Sequence, residues 1–248
     1  PAPKWRWRGP RFGLAIPSMV WYLLFFVAPI AFIIAYSFGT KDSTQRIPVD
    51  LSNLTLDNYS RVLSGTARTT FVQTLKIAIL GTSLCILIGF PVAYFLAFKV
   101  TEKWRAVLLA MVVIPSFTSF LIRTIAWKIP LAPNGFLSDW MQEVGLIDGP
   151  IRVLQTTFAV QLAIVYNYLG FVVLPLFVAL DRIDVRMREA SKDLGAGRWA
   201  TFAGVTLPLA GPGIIAAVLL TFIPMCGDYV TATVLGGAQG NMIGAMIA

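Results

Sequence analysis

Apolar residues along the 248-residue chain are gathered into long runs instead of alternating with polar ones. The runs cover about residues 14–38, 71–98, 106–127, 156–180 and 209–226, and a further apolar stretch opens at Asn241. Each reaches or approaches the roughly 20 residues that carry a helix across a bilayer. In lipid the backbone must satisfy its own hydrogen bonds, so runs of this length predict helices. The pattern predicts an all-α membrane protein with five spans and the start of a truncated sixth. Residues 1–13 form a basic tail, and 14–248 one transmembrane domain whose most polar connection is 181–208.

Prolines and glycines recur inside the runs: Pro29, Gly89, Pro91, Pro115, Gly170, Pro175, Pro212, Gly213 and Pro224. Membrane helices accept such residues where neighbours re-satisfy the freed backbone, and small residues let helices approach closely. Ordinary kinked packing explains them, and so does a pathway that opens and closes.

Composition agrees with the pattern. Hydrophobic residues make up 57% and charged residues 13% of the chain, whereas soluble domains carry about 25% charge. The net charge of +8 reads as the basic bias of cytoplasmic loops and not as nucleic-acid binding. With no histidine and two distant cysteines, Cys85 and Cys226, neither a disulfide framework nor a His/Cys metal site is expected. The first run follows Lys4, Arg6, Arg8 and Arg11, as a signal peptide would. It is too long and lacks a small-residue cleavage site, so it reads as a retained span.

Basic residues set the orientation. The tail holds four, the connection with Lys99, Lys103 and Arg105 three, and that with Arg182, Arg186, Arg188, Lys192 and Arg198 five. The longer connections on the other side hold six. The positive-inside rule places the N terminus and the 181–208 loop in the cytoplasm.

In that loop, Ile183, Met187, Ala190 and Leu194 recur at the spacing of one helix face. Gly195 and Gly197 then interrupt the helix, since glycine readily takes the positive φ that ends one. A second short helix is expected from about Arg198, with Trp199, Phe202 and Thr206 on one side, before Pro208 introduces the next span.

Glu189, Ala190, Gly195, Val205, Leu207 and Pro208 are spaced as in the EAA signature of ABC-importer permeases, with Ser191 and Val205 as small departures. The segments "LTLDNYSRVL", "SFLIRTIAW", "VYNYLGFVVLPLF" and "GIIAAVLLTFIPMCGDYVTATVLGG" extend the likeness from about residue 14 onward. The chain thus resembles the spermidine/putrescine-type permease subunits of binding-protein-dependent importers. That resemblance implies a type I ABC importer permease (MetI-like) bundle, multi-pass in a bacterial plasma (inner) membrane. It implies an ATPase-coupling site of Glu189, Ala190, Ser191, Asp193, Gly195, Leu207 and Pro208. The partners would be a cytoplasmic ABC ATPase dimer, a second homologous permease, an external solute-binding protein and the lipid bilayer, with no nucleic acid.

The chain has no Walker-type loop of its own, so it is not expected to be an enzyme or to bind a cofactor. ATP and Mg would sit on the partner ATPase. A polyamine is the solute that the resemblance implies, and another small solute is the alternative. An ion-coupled secondary transporter would show inverted repeats and intramembrane acidic coupling sites, and neither is evident. A membrane scaffold would tolerate loss of Glu189 and Gly195.

Few charges fall in the runs. Lys76 reads as snorkelling to the interface. Arg123 and Asp228, both expected toward the outer surface, are candidates for a pair or shared network there, or each faces water separately. Trp127, Tyr166, Tyr168 and Tyr229 could offer aromatic faces to a cation beside the Asp228 carboxylate, or populate the membrane interface as such residues commonly do. The pathway candidates are thus Arg123, Trp127, Tyr166, Asp228 and Tyr229, with no metal site and no catalytic residue.

Overall fold

The computed structural model describes residues 12–41, 49–51, 53–237 and 242–244. The tail up to residue 11, and Asn241 with residues 245–248 of the expected sixth span, lie outside the described residues. The chain divides into two compact units, Pro1–Arg68 and Thr69–Ala248.

In the first unit α1 (Phe12–Tyr22) passes through a π turn (Leu23–Val27) into α2 (Ala28–Ser37). The run Ala15–Ser37 has a mean hydropathy of 2.3, and none of its described side chains is buried. The π turn has a local cause. Pro29 follows it by two residues, and a proline ring collides with the carbonyl four residues earlier, here Phe25, unless that turn widens. A two-residue ladder pairs β1 (Thr40–Lys41) with β2 (Val49–Asp50), antiparallel. The short α3 (Asp57–Leu63) returns to the end of α2. There the Asn58 amide donates to the carbonyls of Ser37 at 3.0 Å and Gly39 at 2.8 Å, and the Tyr59 hydroxyl meets Ser37 Oγ at 2.7 Å.

The second unit is built on α4 (Thr66–Phe98) and α8 (Thr157–Asp181). α8 is the central element, with Ala159, Val160, Ala163, Ile164, Val172, Val173, Leu176 and Leu180 fully covered. Its main partner is α11 (Leu207–Cys226). At their closest approach Gly213 faces Ala179 and the Pro175 carbonyl, where an added Cβ would overlap the alanine methyl. With no hydrophobic drive between helices in lipid, such small-residue contacts carry the packing.

Two expected boundaries differ in the structure. The stretch 106–127 is not straight: α5 (Glu102–Val113) and a 3-10 turn (Ile114–Phe117) meet α6 (Phe120–Ala126) at 93°. Pro115 withdraws one backbone donor, and Thr118 and Ser119 then run extended, so the helix restarts in a new direction. The expected short second helix is also absent as a separate piece. α10 (Arg198–Thr201) continues through a π turn (Phe202–Thr206) into α11, giving one helix from Arg198 to Cys226. The reason is the one seen at Pro29: the π turn contains Gly204, whose carbonyl the Pro208 ring would otherwise strike.

The ends of α4, α5 and α8 are tied together. Arg105 on α5 pairs with Asp181 at 2.7 Å and donates to the Ala97 carbonyl at 3.1 Å. α7 (Phe136–Glu143) lies between α6 and α8 in sequence, and α12 (Tyr229–Thr231) leads into a last π turn (Ala232–Gly236). Gln155, just before α8, donates to the Leu235 carbonyl at 2.9 Å and closes that end of the unit.

Candidate functional site

The loop after α8 opens with Asp184, whose carboxylate accepts from the Arg186 amide at 2.9 Å and caps α9 (Val185–Asp193). Gly195 has φ +83° and ends the helix. Its amide donates to the Lys192 carbonyl at 2.8 Å and that of Ala196 to the Ser191 carbonyl at 3.1 Å, the paired bonds of a Schellman closure. The glycine is required by this conformation and not by crowding, since nothing lies within 4 Å of a Cβ built there.

The closure leaves Glu189, Ala190 and Asp193 exposed together with Met187 and Leu194, the last 90% exposed. Ser191 turns the other way, sharing a 3.2 Å hydrogen bond with Thr201 that ties α9 to α10. Ile183 does not join the expected apolar face: it precedes α9 and is buried in the core of the unit. Leu207 and Pro208 belong to α11, about 13 Å along the helix from Arg198 at the usual rise per residue. The expected coupling set therefore separates into an exposed group on α9 and two residues that shape the following span.

Arg188, on the inward side of α9, was not singled out by the sequence. Its guanidinium lies 4.0 Å from the Phe98 ring centre and donates to the Tyr94 hydroxyl at 3.0 Å, seating α9 on the end of α4. The signal for it was faint: one of five basic residues in the loop.

A second cluster surrounds the middle of α8. Arg123, Trp127 and Tyr166 line one groove of about 350 Å³ with Ile122, Ala126 and Pro130. The Trp127 and Tyr166 rings meet edge to face at 5.5 Å. Arg123, 8% exposed, donates to the Asn167 carbonyl at 3.1 Å while its Nε has no partner. Asp228 is equally buried and accepts from the Thr231 amide at 2.9 Å and the Thr231 hydroxyl at 2.6 Å, so its carboxylate caps α12. Arg123 and Asp228 form no ion pair within 4.0 Å. Each group has a closer partner of its own, Arg123 the Asn167 carbonyl and Asp228 Thr231. Asn167 stands near the middle of the 25-residue α8. Tyr229 is half exposed and lies apart from the groove.

The Asn167 amide also donates to Thr124 Oγ1 at 2.9 Å, joining α8 to α6 in a fully buried setting. Hydrogen bonds between membrane helices contribute about 0.6–2 kcal/mol. An Asn167→Ala protein is therefore expected to melt roughly 2–6 °C lower in detergent, read by the thermal midpoint of the purified chain.

Apolar spans around a central α8, a broken span beside it and a protruding Gly-closed helical loop are the parts of an ABC-importer permease. The crystal structure of a bacterial alginate ABC transporter shares this fold, with a TM-score of 0.65 and 19% identity over 95% of this chain and 82% of that one. The alginate transporter in complex with an alginate pentasaccharide-bound periplasmic protein gives a TM-score of 0.65 and 20% identity over 95% and 81%. No family model matches the chain. The chain belongs to the spermidine/putrescine transport system permease family of PotB: it is 37% identical to PotB of Salmonella typhimurium over 92% of its length and 78% of that protein's. It is a multi-pass membrane permease subunit and not itself an enzyme.

Proposed function

We propose that the chain forms part of the translocation pathway of an ATP-driven importer for a polyamine, spermidine or putrescine. The observation that carries this reading is the identity with PotB across 92% of the chain. The aromatic walls of the Trp127–Tyr166 groove and the Asp228 carboxylate elsewhere in the unit supply what a flexible polycation needs, ring faces and a negative charge. The pathway residues are Arg123, Trp127, Tyr166, Asp228 and Tyr229.

Energy enters through α9. Met187, Ala190 and Leu194 offer an apolar ridge to a cleft on a cytoplasmic ABC ATPase dimer, which holds the ATP and Mg. Glu189 and Asp193 on its flank set register, Gly195 holds the turn, and Ser191, Leu207 and Pro208 brace the loop against the span. Closure of the ATPases would shift the spans between two states. A second, homologous permease completes the pathway and an external solute-binding protein delivers the solute. The excess of basic residues on the tail and on the 99–105 and 182–198 connections supports a cytoplasmic N terminus and α9.

The test is uptake of labelled spermidine by cells holding the assembled transporter and no other polyamine importer. ATP-dependent accumulation is expected. Asp228→Asn is expected to raise the half-saturating concentration at least about tenfold, the order of one charge-assisted hydrogen bond. A second reading, a small anionic solute on the same kind of permease, is favoured by Arg123, which lines the groove with an unpartnered Nε. Uptake of sulfate or molybdate without spermidine uptake would select it.

A further inference from the structure

Two cavities meet where α4 ends against α9 and α10. One, of about 370 Å³, is lined by the cations Lys99, Arg188, Lys192 and Arg198 and by the hydroxyls of Thr201 and Thr206, with no carboxylate in its wall. The other, of about 410 Å³, is apolar, walled by Phe90, Pro91 and Trp199. Tyr94, Arg198 and Phe202 belong to both walls, so the basic pocket and the apolar groove adjoin.

None of the four cations has an acidic partner among the described residues; the ion pair of Arg105 with Asp181 involves none of them. Like charges gathered this closely repel, and the repulsion grows as water is displaced. Two polar atoms at the pocket also lack any hydrogen-bond partner: the hydroxyl of Thr206, a residue 1% exposed, and Arg188 Nε. A buried donor left unsatisfied costs about 1–3 kcal/mol. An anion with several acceptor oxygens would relieve the repulsion and both vacancies together.

We propose that this is a site for an acidic phospholipid of the cytoplasmic leaflet, its phosphate held by Lys99, Arg188, Lys192 and Arg198 and an acyl chain lying along Phe90, Pro91 and Phe202. The shared chemistry is a phosphate oxyanion, which a free phosphate would also supply. The apolar groove adjoining the pocket selects the lipid, because a free ion would use the basic half alone. Trp199, 81% exposed at the rim, is placed as interfacial tryptophans are. Basic pockets between spans on the cytoplasmic side are suited to such headgroups. The inference rests on the cytoplasmic placement of α9 proposed above. Arg188 and Lys192 share α9 with Glu189, so a bound lipid would grip the helix from one side while the ATPase takes the other.

The test uses the assembled transporter, stripped of lipid in neutral detergent and titrated with short-chain phosphatidylglycerol, phosphatidylcholine or inorganic phosphate, with bound lipid counted by native mass spectrometry. Phosphatidylglycerol is expected to bind in preference to phosphatidylcholine, and the Lys99→Gln/Arg198→Gln protein to bind it about 25-fold more weakly, about fivefold for each charge removed. Arg198→Lys should retain binding, and unchanged circular dichroism would show the double variant folded. Equal binding of the two lipids, or undiminished binding by a folded double variant, overturns the proposal. Charge-dependent binding of inorganic phosphate without phosphatidylglycerol assigns the pocket to a free anion and overturns the lipid. A photo-crosslinker replacing Trp199 that captures a protein subunit in place of lipid does so too. Sidedness is read separately by thiol labelling of Leu194→Cys: labelling from outside would overturn the cytoplasmic placement, and with it the leaflet, while lipid binding in detergent would still report on the pocket.

Discussion

A Glu189→Lys chain is expected to reach the membrane in normal amount and to support uptake roughly a hundredfold slower than wild type. Glu189 is exposed, and surface substitutions away from caps and networks shift stability by about 0.5 kcal/mol or less. Its neighbours on that face are Met187, Ala190 and Leu194, all exposed. If that face docks on the ATPase, loss of a desolvated, paired charge costs about 2–5 kcal/mol, and its reversal adds repulsion. Co-purification of the ATPase with the membrane subunits checks the cause directly: it should fall with uptake. Normal uptake and normal co-purification would remove Glu189 from the coupling surface.

The second large effect is expected inside the bundle. Gly213→Val places a branched side chain where Ala179 and the Pro175 carbonyl leave no room for a single methyl group. Overpacking typically costs about 1–3 kcal/mol, here directed at the main contact of the central helix. The purified protein should melt roughly 5–10 °C lower and accumulate poorly. Gly211→Ala is the control. It lies two residues away on the same helix with nothing within 4 Å of its added Cβ, so little change or a slight gain is expected. Equal behaviour of the two variants would mean that helix propensity, and not the α8–α11 approach, decides.

These positions show what the sequence carries. Lipid makes harsh demands on length and polarity, so the apolar runs were readable, as was Gly195, where a helix face stops at a residue able to take positive φ. The elbow at Pro115 was not. Pro91 and Pro175 lie inside helices that continue past them, and a proline in an apolar run does not reveal which course the chain takes. Periodicity placed Ile183 with Met187, Ala190 and Leu194, yet it cannot distinguish a side chain covered by its own bundle from one left for a partner. Asp228 and Arg123 were marked as charges that need a partner. Their nearer partners, Thr231 and the Asn167 carbonyl, come from a local cap and from a backbone atom. The cap was open to reading in the Asp-x-x-Thr spacing, whereas the carbonyl carries no side-chain signature.

The 93° elbow has a wider consequence. Thr118 and Ser119, about 24 Å along the chain from the start of α5 at helical rise, have extended backbones and exposed side chains. Hydrocarbon cannot hydrogen-bond such a segment, so within a bilayer it must face water or another polypeptide. The spans without a break carry no such restriction. If the elbow lies within the bilayer, a two-residue interruption in the backbone is enough to mark the flank that water or another polypeptide must cover.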